Sequence, residues 1–151
     1  MNEQQQEKPY RIYPPHLFLL TLASMHVLGW LETGQHFAHV YGLLLTVFGV
    51  WLAVREKNRF VRAGTTFLPG RESETLVTEG AYKVTRNPMY VAMVLALLGL
   101  WPLTGGWSPL APLIIFIALI QHFYIMREER MLTAKFGKDY LAYKARVRRW
   151  I

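Results

Sequence analysis

The chain has 151 residues, of which 52% are hydrophobic; it carries a net charge of +7 and contains no cysteine. That length makes one domain, and the missing cysteine removes disulfides, thiolate metal sites and cysteine nucleophiles together. No Gly-rich nucleotide fingerprint occurs, which argues against a Rossmann-type nucleotide site.

Residues 1–14 form a polar tail, and no small-residue cleavage pattern follows the first apolar stretch, so no removable signal peptide is expected. Four apolar segments then follow, at 16–31, 37–54, 89–103 and 109–126. A helix needs ~20 residues to cross the ~30 Å hydrocarbon core. The third segment is short and would tilt little or thin the bilayer locally. Thr104-Gly105-Gly106-Trp107-Ser108 separates the third and fourth segments. It reads as a compact turn with an interfacial Trp, so these two segments form a helical hairpin. The segments lack the polar face that a soluble four-helix bundle requires. The expected fold is an all-α integral membrane protein with four transmembrane helices.

Charge sets the expected orientation. Lys8 and Arg11 lie in the tail, seven Lys and Arg fall between Arg55 and Arg86, and eight between Arg127 and Arg149. The short loops at 32–36 and 104–108 hold none. The positive-inside rule then puts both termini and residues 55–88 in the cytoplasm, with the inner membrane as the expected location. Membrane topology and attraction to anionic lipid account for the basic residues without nucleic acid.

Polar groups within the apolar segments are few. His26 and His122 are the main ones, and Glu32 stands at the outer end of the first segment. Intramembrane ionisable groups are functional candidates by default. A His pair facing each other could bind haem, whereas a lone His in a helix more often bonds a neighbour. His36 and His39 are spaced as half a metal site, but no third ligand accompanies them, and no metal site is assigned.

Two cytoplasmic segments, 55–88 and 127–151, should carry the chemistry. The first is too long for a connector. Gly80 permits a turn or close backbone approach. Pro88 suits the first turn of the third membrane helix, with Asn87 as its N-cap. Arg86 and Tyr90 flank that cap, and a helix N-terminus beside an Arg is a ready carboxylate site. In the second segment, Glu129, Leu132, Phe136, Tyr140 and Tyr143 share a helical face, and Gly137 should break or kink that helix. A surface amphipathic helix accounts for this pattern. The adjacent acids Glu128 and Glu129 in basic surroundings point further, to a ribose or an ammonium group.

Leu-Val-Thr-Glu-Gly-Ala-Tyr (76–82), Arg-Asn-Pro-Met-Tyr (86–90), Glu-Glu-Arg-Met-Leu (128–132) and Phe-Gly-Lys-Asp-Tyr-Leu-Ala-Tyr (136–143) together resemble the isoprenylcysteine carboxyl methyltransferase family. That family belongs to a wider group of membrane methyltransferases that includes phospholipid methyltransferases. The resemblance covers residues 60–150, with the blocks in family order around a helical hairpin, and points to a prokaryotic-type member.

The resemblance implies an S-adenosylmethionine-dependent methyltransferase. Its cofactor pocket would be formed by the cytoplasmic loop and the C-terminal amphipathic helix. Leu76, Val77, Gly80 and Tyr82 match the loop lining the cofactor. Arg86, Asn87, Pro88 and Tyr90 match an Arg-His-Pro-x-Tyr block, and Glu128 and Glu129 match a Glu pair. Tyr90, Arg127 and Glu129 are the expected catalytic residues, and the acceptor is a lipid-like or apolar molecule methylated on a carboxylate or an amine. Two positions depart from the pattern: Asn87 replaces the usual His and cannot carry charge, and Tyr124 stands where the eukaryotic enzymes place an Arg near the acceptor carboxylate. Fewer spans than in the eukaryotic enzymes also argue against a prenylated-protein substrate. The competing expectation is a non-catalytic or haem- or quinone-binding membrane protein using His26 and His122. Oligomeric state is open, although Ala92 and Ala96 offer a small-residue face for close helix packing.

Overall fold

A computed structural model describes residues 12–34, 40–64 and 75–151. Every regular element in these residues is helical. They comprise α1 (Pro14–Thr33), α2 (Leu43–Arg62) after a 3-10 turn at Val40–Gly42, and α3 (Pro88–Thr104) after a second 3-10 turn at Gly80–Lys83. α4 (Leu110–Leu119) runs through a π turn at Ile120–Ile125 into α5 (Met126–Arg146). Residues 1–11 of the tail and the His36–His39 pair lie outside the described residues.

α1 starts with proline at its first turn and ends on Gly34, whose φ of 66° allows a left-handed cap donating to the Trp30 carbonyl. Glu32 near its end reaches the hairpin turn, accepting from the Trp107 and Ser108 backbone N–H groups at 2.8–3.1 Å. These bonds satisfy donors at the mouth of α4, and the Ser108 side chain together with them holds the Glu32 carboxyl below its ordinary range. The expected hairpin is present, with α3 ending at Thr104 and α4 starting at Leu110.

α2 and α3 pack through small residues. A Cβ on Gly49 would meet the Ala92 carbonyl at 2.7 Å, and Gly42 and Gly99 face each other's backbones as tightly. Thr46 Oγ1 donates across the contact to the Ala96 carbonyl at 3.2 Å. Ala92 and Ala96 are thus buried inside the chain rather than offered to another copy. On the other side of α3, Met25, Tyr90, Leu97, Leu113, Phe116, Ile120, Tyr124 and Ile125 form the core between α1, α3 and α4.

The outward faces are apolar as well: Leu19, Leu20, Leu44, Val47, Phe48, Ile114, Ile115 and Phe123 are all exposed. Among the described residues, the continuous helix Leu110–Arg146 is long and apolar enough to cross a membrane. α3 is apolar but shorter, at 17 residues.

The fourth apolar segment and the C-terminal amphipathic stretch were expected as separate pieces, but the π turn joins them into one helical run. A π turn inserts an extra residue into the helical register. It buries Tyr124 and Ile125, and Glu129 follows them to the interior side of α5. Gly137 adopts φ 50° and ψ −120° inside α5, the break its sequence position predicted. His26 bonds the Leu22 carbonyl of its own helix, and His122 is exposed against Phe123.

Candidate functional site

The site forms where the first turn of α3 meets the start of α5. Asn87 precedes Pro88 at the N-cap position of α3, as expected, but its side chain does not cap the helix. Its Nδ2 instead donates to the Arg149 carbonyl at 2.9 Å. Thr85 Oγ1 donates to the same carbonyl at 3.1 Å and accepts from the Asn87 N–H at 3.1 Å. Arg86 N donates to the Arg148 carbonyl at 2.8 Å. Residues 85–87 and 148–149 thereby form a short parallel pairing, and Trp150 Nε1 fastens the strap to Gln121 Oε1 at 2.7 Å.

This strap delivers Arg149 to Glu129. Its Nε donates to Glu129 Oε1 at 2.8 Å and its Nη2 to Oε2 at 2.9 Å, a two-point fork. Lys144 Nζ lies 3.4 Å from Oε2, and Arg86 Nη2 lies 3.4 Å from Oε1. Burial pushes Glu129 up, but Arg149, Arg86 and Lys144 outweigh it and hold the carboxyl below its ordinary range. Three cations against one carboxylate leave the cluster positive.

Arg86 is the least satisfied member. Its side chain is 9% exposed, yet its Nε and Nη1 have no hydrogen-bond partner. Nearby Tyr140 and Tyr143 are pushed up by burial, Tyr140 to about 12, so both stay neutral phenols. The Tyr143 hydroxyl donates to the Tyr82 carbonyl at 2.7 Å and pins the 80–83 turn to α5.

Glu128 points the other way. It accepts the Tyr90 hydroxyl at 2.7 Å. Burial raises its carboxyl to about 7, against the lowering effects of Tyr90 and Arg127. The Tyr82 phenol is held well above its ordinary range by burial and by the charges of Glu128 and Glu56. Glu56 therefore belongs to this acidic side. It is fully buried on α2, bonded to Arg59 Nε at 3.0 Å through Oε2, with Oε1 unbonded. Gly80 opens the turn at φ +65°, and an added Cβ there would strike the Arg59 guanidinium.

The expected residues therefore separate into two neighbouring groups. Arg86, Asn87, Pro88 and Glu129 gather on the positive side, and Tyr82, Tyr90 and Glu128 on the acidic side. Arg127 acts on Glu128 through its charge. Leu76 and Val77 are half-buried on the approach to Gly80 and take part in none of these bonds. Arg149, Lys144, Thr85 and Glu56 were not expected. Lys144, Arg149 and Glu56 lie in charge-rich runs that explain themselves as topology, and nothing local marks their partners.

The profile of a family described as phospholipid methyltransferase matches residues 37–139, more than half of the chain. The chain is 37% identical over 70 residues to the cobalt-zinc-cadmium resistance protein CzcN of Cupriavidus metallidurans, covering 46% of this chain and 32% of that one. It is 51% identical over 65 residues to a protein of Haemophilus influenzae, covering 42% of this chain and all of that one. It is 28% identical over 115 residues to protein-S-isoprenylcysteine O-methyltransferase B of Arabidopsis thaliana, covering 71% of this chain and 55% of that one. The chain thus spans about a third of the Cupriavidus relative and about half of the Arabidopsis one. No solved structure matches it.

Proposed function

The chain belongs to the phospholipid methyltransferase family, and we propose that it is an S-adenosylmethionine-dependent integral membrane enzyme methylating a lipid-like or apolar acceptor. In this reading the four apolar segments cross the membrane, with both termini and the site on the cytoplasmic side. The outward-facing apolar side chains of α1, α2 and α4 support it, since a water-facing bundle would turn polar residues outward.

The observation that carries the proposal is Arg86. Two buried guanidinium donors without partners are costly unless a ligand takes them. An aminoacyl carboxylate suits that fork, and the acidic side formed by Glu128 and Glu56 suits the ammonium or ribose of the same ligand. S-adenosylmethionine carries groups of both signs and supplies an electrophilic methyl when bound. Arg86 and the start of α3 would hold its carboxylate, Glu128 and the 76–82 loop its other polar groups. Orientation and electrostatics are then the protein's main contribution.

A carboxylate acceptor needs no base, whereas an amine acceptor must shed a proton. Glu129 was among the expected catalytic residues, but its three cations keep it ionised and occupied. Glu128, raised to about 7, is better matched to accept a proton near neutral pH. Tyr90 positions its carboxylate, and Arg127 tempers its basicity. Calorimetric titration of S-adenosylhomocysteine into the detergent-solubilised protein tests the proposal. Saturable binding that is lost in Arg86→Met supports it, and no binding to folded protein overturns it.

A further inference from the structure

A cavity of about 640 Å³ opens on α2, away from the Arg86–Glu129 cluster but sharing Arg59 with the edge of the acidic side. Trp51, Val54, Arg55, Asn58, Arg59 and Arg62 line it, and Glu79 closes it from the loop. These positions recur at helical spacing, so they form one stripe along a single face of α2. The stripe changes character along its length. Trp51 and Val54 end the second apolar segment, and the three arginines follow within the next two turns. The cavity therefore spans the level at which hydrocarbon would give way to headgroups.

The arginines differ in commitment. Arg59 bonds Glu56 at 3.0 Å, approaches Glu79 at 3.8 Å and lies over Gly80. Arg55 sits 5.1 Å from the Trp51 ring centroid and reaches Glu56 only at 3.9 Å, with its side chain half exposed. Arg62 is exposed and has no ion-pair partner among the described residues. Two planar forks are thus available above an apolar floor, with the first braced by an indole. Guanidinium forks match phosphate oxygens, and the apolar floor of Trp51 and Val54 matches an acyl chain.

We propose that this cleft, through Arg55 and Arg62, binds the phosphate headgroup of an anionic membrane lipid that is not the methyl acceptor. The proposal rests on the reading that α2 crosses the bilayer, not on the methyl donor. Each basic residue near a membrane surface contributes about fivefold in anionic-lipid affinity, so removing Arg55 and Arg62 together should weaken retention by roughly 25-fold.

Native mass spectrometry of the full chain, released from micelles doped with phosphatidylglycerol or phosphatidylcholine, tests this. Wild type should retain phosphatidylglycerol in preference to phosphatidylcholine. Arg55→Ala/Arg62→Ala should lose that preference, and Arg55→Lys/Arg62→Lys should keep part of it. Equal retention of both lipids, or a double-alanine variant that retains phosphatidylglycerol like wild type, overturns the proposal. Displacement of the lipid by millimolar inorganic phosphate assigns the cleft to free phosphate and overturns the lipid source. Both arginines are exposed, so the variants should melt like wild type in neutral detergent. Titration of S-adenosylhomocysteine into the same samples separates the two readings. Nucleoside binding without lipid preference sinks only the lipid site, and the reverse sinks only the methyl-transfer reading.

Discussion

The Tyr90 hydroxyl and Glu128 Oε1 meet at 2.7 Å, tying the first turn of α3 to the first turn of α5, while adjacent Glu129 turns into a cluster of three cations. Tyr90→Phe deletes only the hydroxyl. A hydrogen bond to a charged group contributes about 1.5–3 kcal/mol, so the variant should lose up to that much stability where Glu128 is ionised and less where it is protonated. Loss of the donor also raises the Glu128 carboxyl further. The limb of a methyl-transfer pH profile that rises from the acidic side as Glu128 loses its proton should therefore move to higher pH in Tyr90→Phe. An unmoved profile would separate Glu128 from the rate.

The two neighbouring acids make opposite contributions to stability against pH. The Glu128 carboxyl is raised from 4.5 to about 7. The folded protein therefore binds more protons than the unfolded chain between those values, and stability falls as pH rises through that window. At about 1.4 kcal/mol per pH unit, the loss amounts to about 3 kcal/mol by pH 8. Glu129 is depressed instead, so its contribution is present above the ordinary carboxylate range and is lost as pH falls below it. Thermal melts in detergent from pH 5 to pH 8 should show a declining midpoint in wild type and a flatter line in Glu128→Gln. The same slope in both proteins removes Glu128 as its origin.

Glu129 is the counter-ion for Arg86, Lys144 and Arg149 together. Glu129→Ala leaves a buried guanidinium without any opposite charge, and breaking such a buried pair costs about 3–5 kcal/mol. Arg149→Lys keeps the charge but cannot reproduce the two-point fork, and should cost less. Limited proteolysis should then cut the 147–150 strap faster in both variants, and fastest in Glu129→Ala. Equal cleavage in all three proteins means that the fork does not hold the strap.

What the sequence foreshadowed follows from locality. Gly137 breaks its helix because the break is written into one residue. Pro88 after Asn87 marks the start of α3, and Glu129, Tyr140 and Tyr143 are all buried, as their pattern predicted, although the Gly137 break lies between the first and the other two. Asn87 shows where locality ends: its place was legible, but its side chain serves a carbonyl 62 residues away. Arg149 and Glu56 were illegible for the same reason. Each lies in a charge run already accounted for by membrane topology, and only the tertiary fold selects a partner 20 residues off for one and a buried position for the other. The π turn left no sequence signature, although it joins the apolar and charged halves of the last helix.

Packing of α2 on α3 depends on absent side chains. At Gly49 a Cβ would lie 2.7 Å from the Ala92 carbonyl and 2.9 Å from the Ala96 nitrogen, both backbone atoms that cannot rotate away. Gly49→Val should force the helices apart and cost about 1–3 kcal/mol. Because α2 carries Glu56 and Arg59 beneath the Gly80 turn, the same variant should weaken nucleoside binding without touching any ligand. Unchanged melting and binding would mean that the two helices are looser than their contact implies.

Arg86 gives the sharpest test, because stability and function should move in opposite directions. Glu129 keeps Arg149 and Lys144 when Arg86 is removed, so no carboxylate is orphaned. What disappears is a buried guanidinium with two unmet donors. Each unsatisfied buried donor costs about 1–3 kcal/mol, and an apolar replacement of similar length fills the space. Arg86→Met should therefore melt at or above the wild-type temperature without ligand. It should also fail to bind S-adenosylhomocysteine and lose the ligand-induced rise in melting temperature that wild type shows. A variant that melts several degrees lower without ligand would make Arg86 a structural partner of Glu129. Its unmet donors would then no longer point to a ligand.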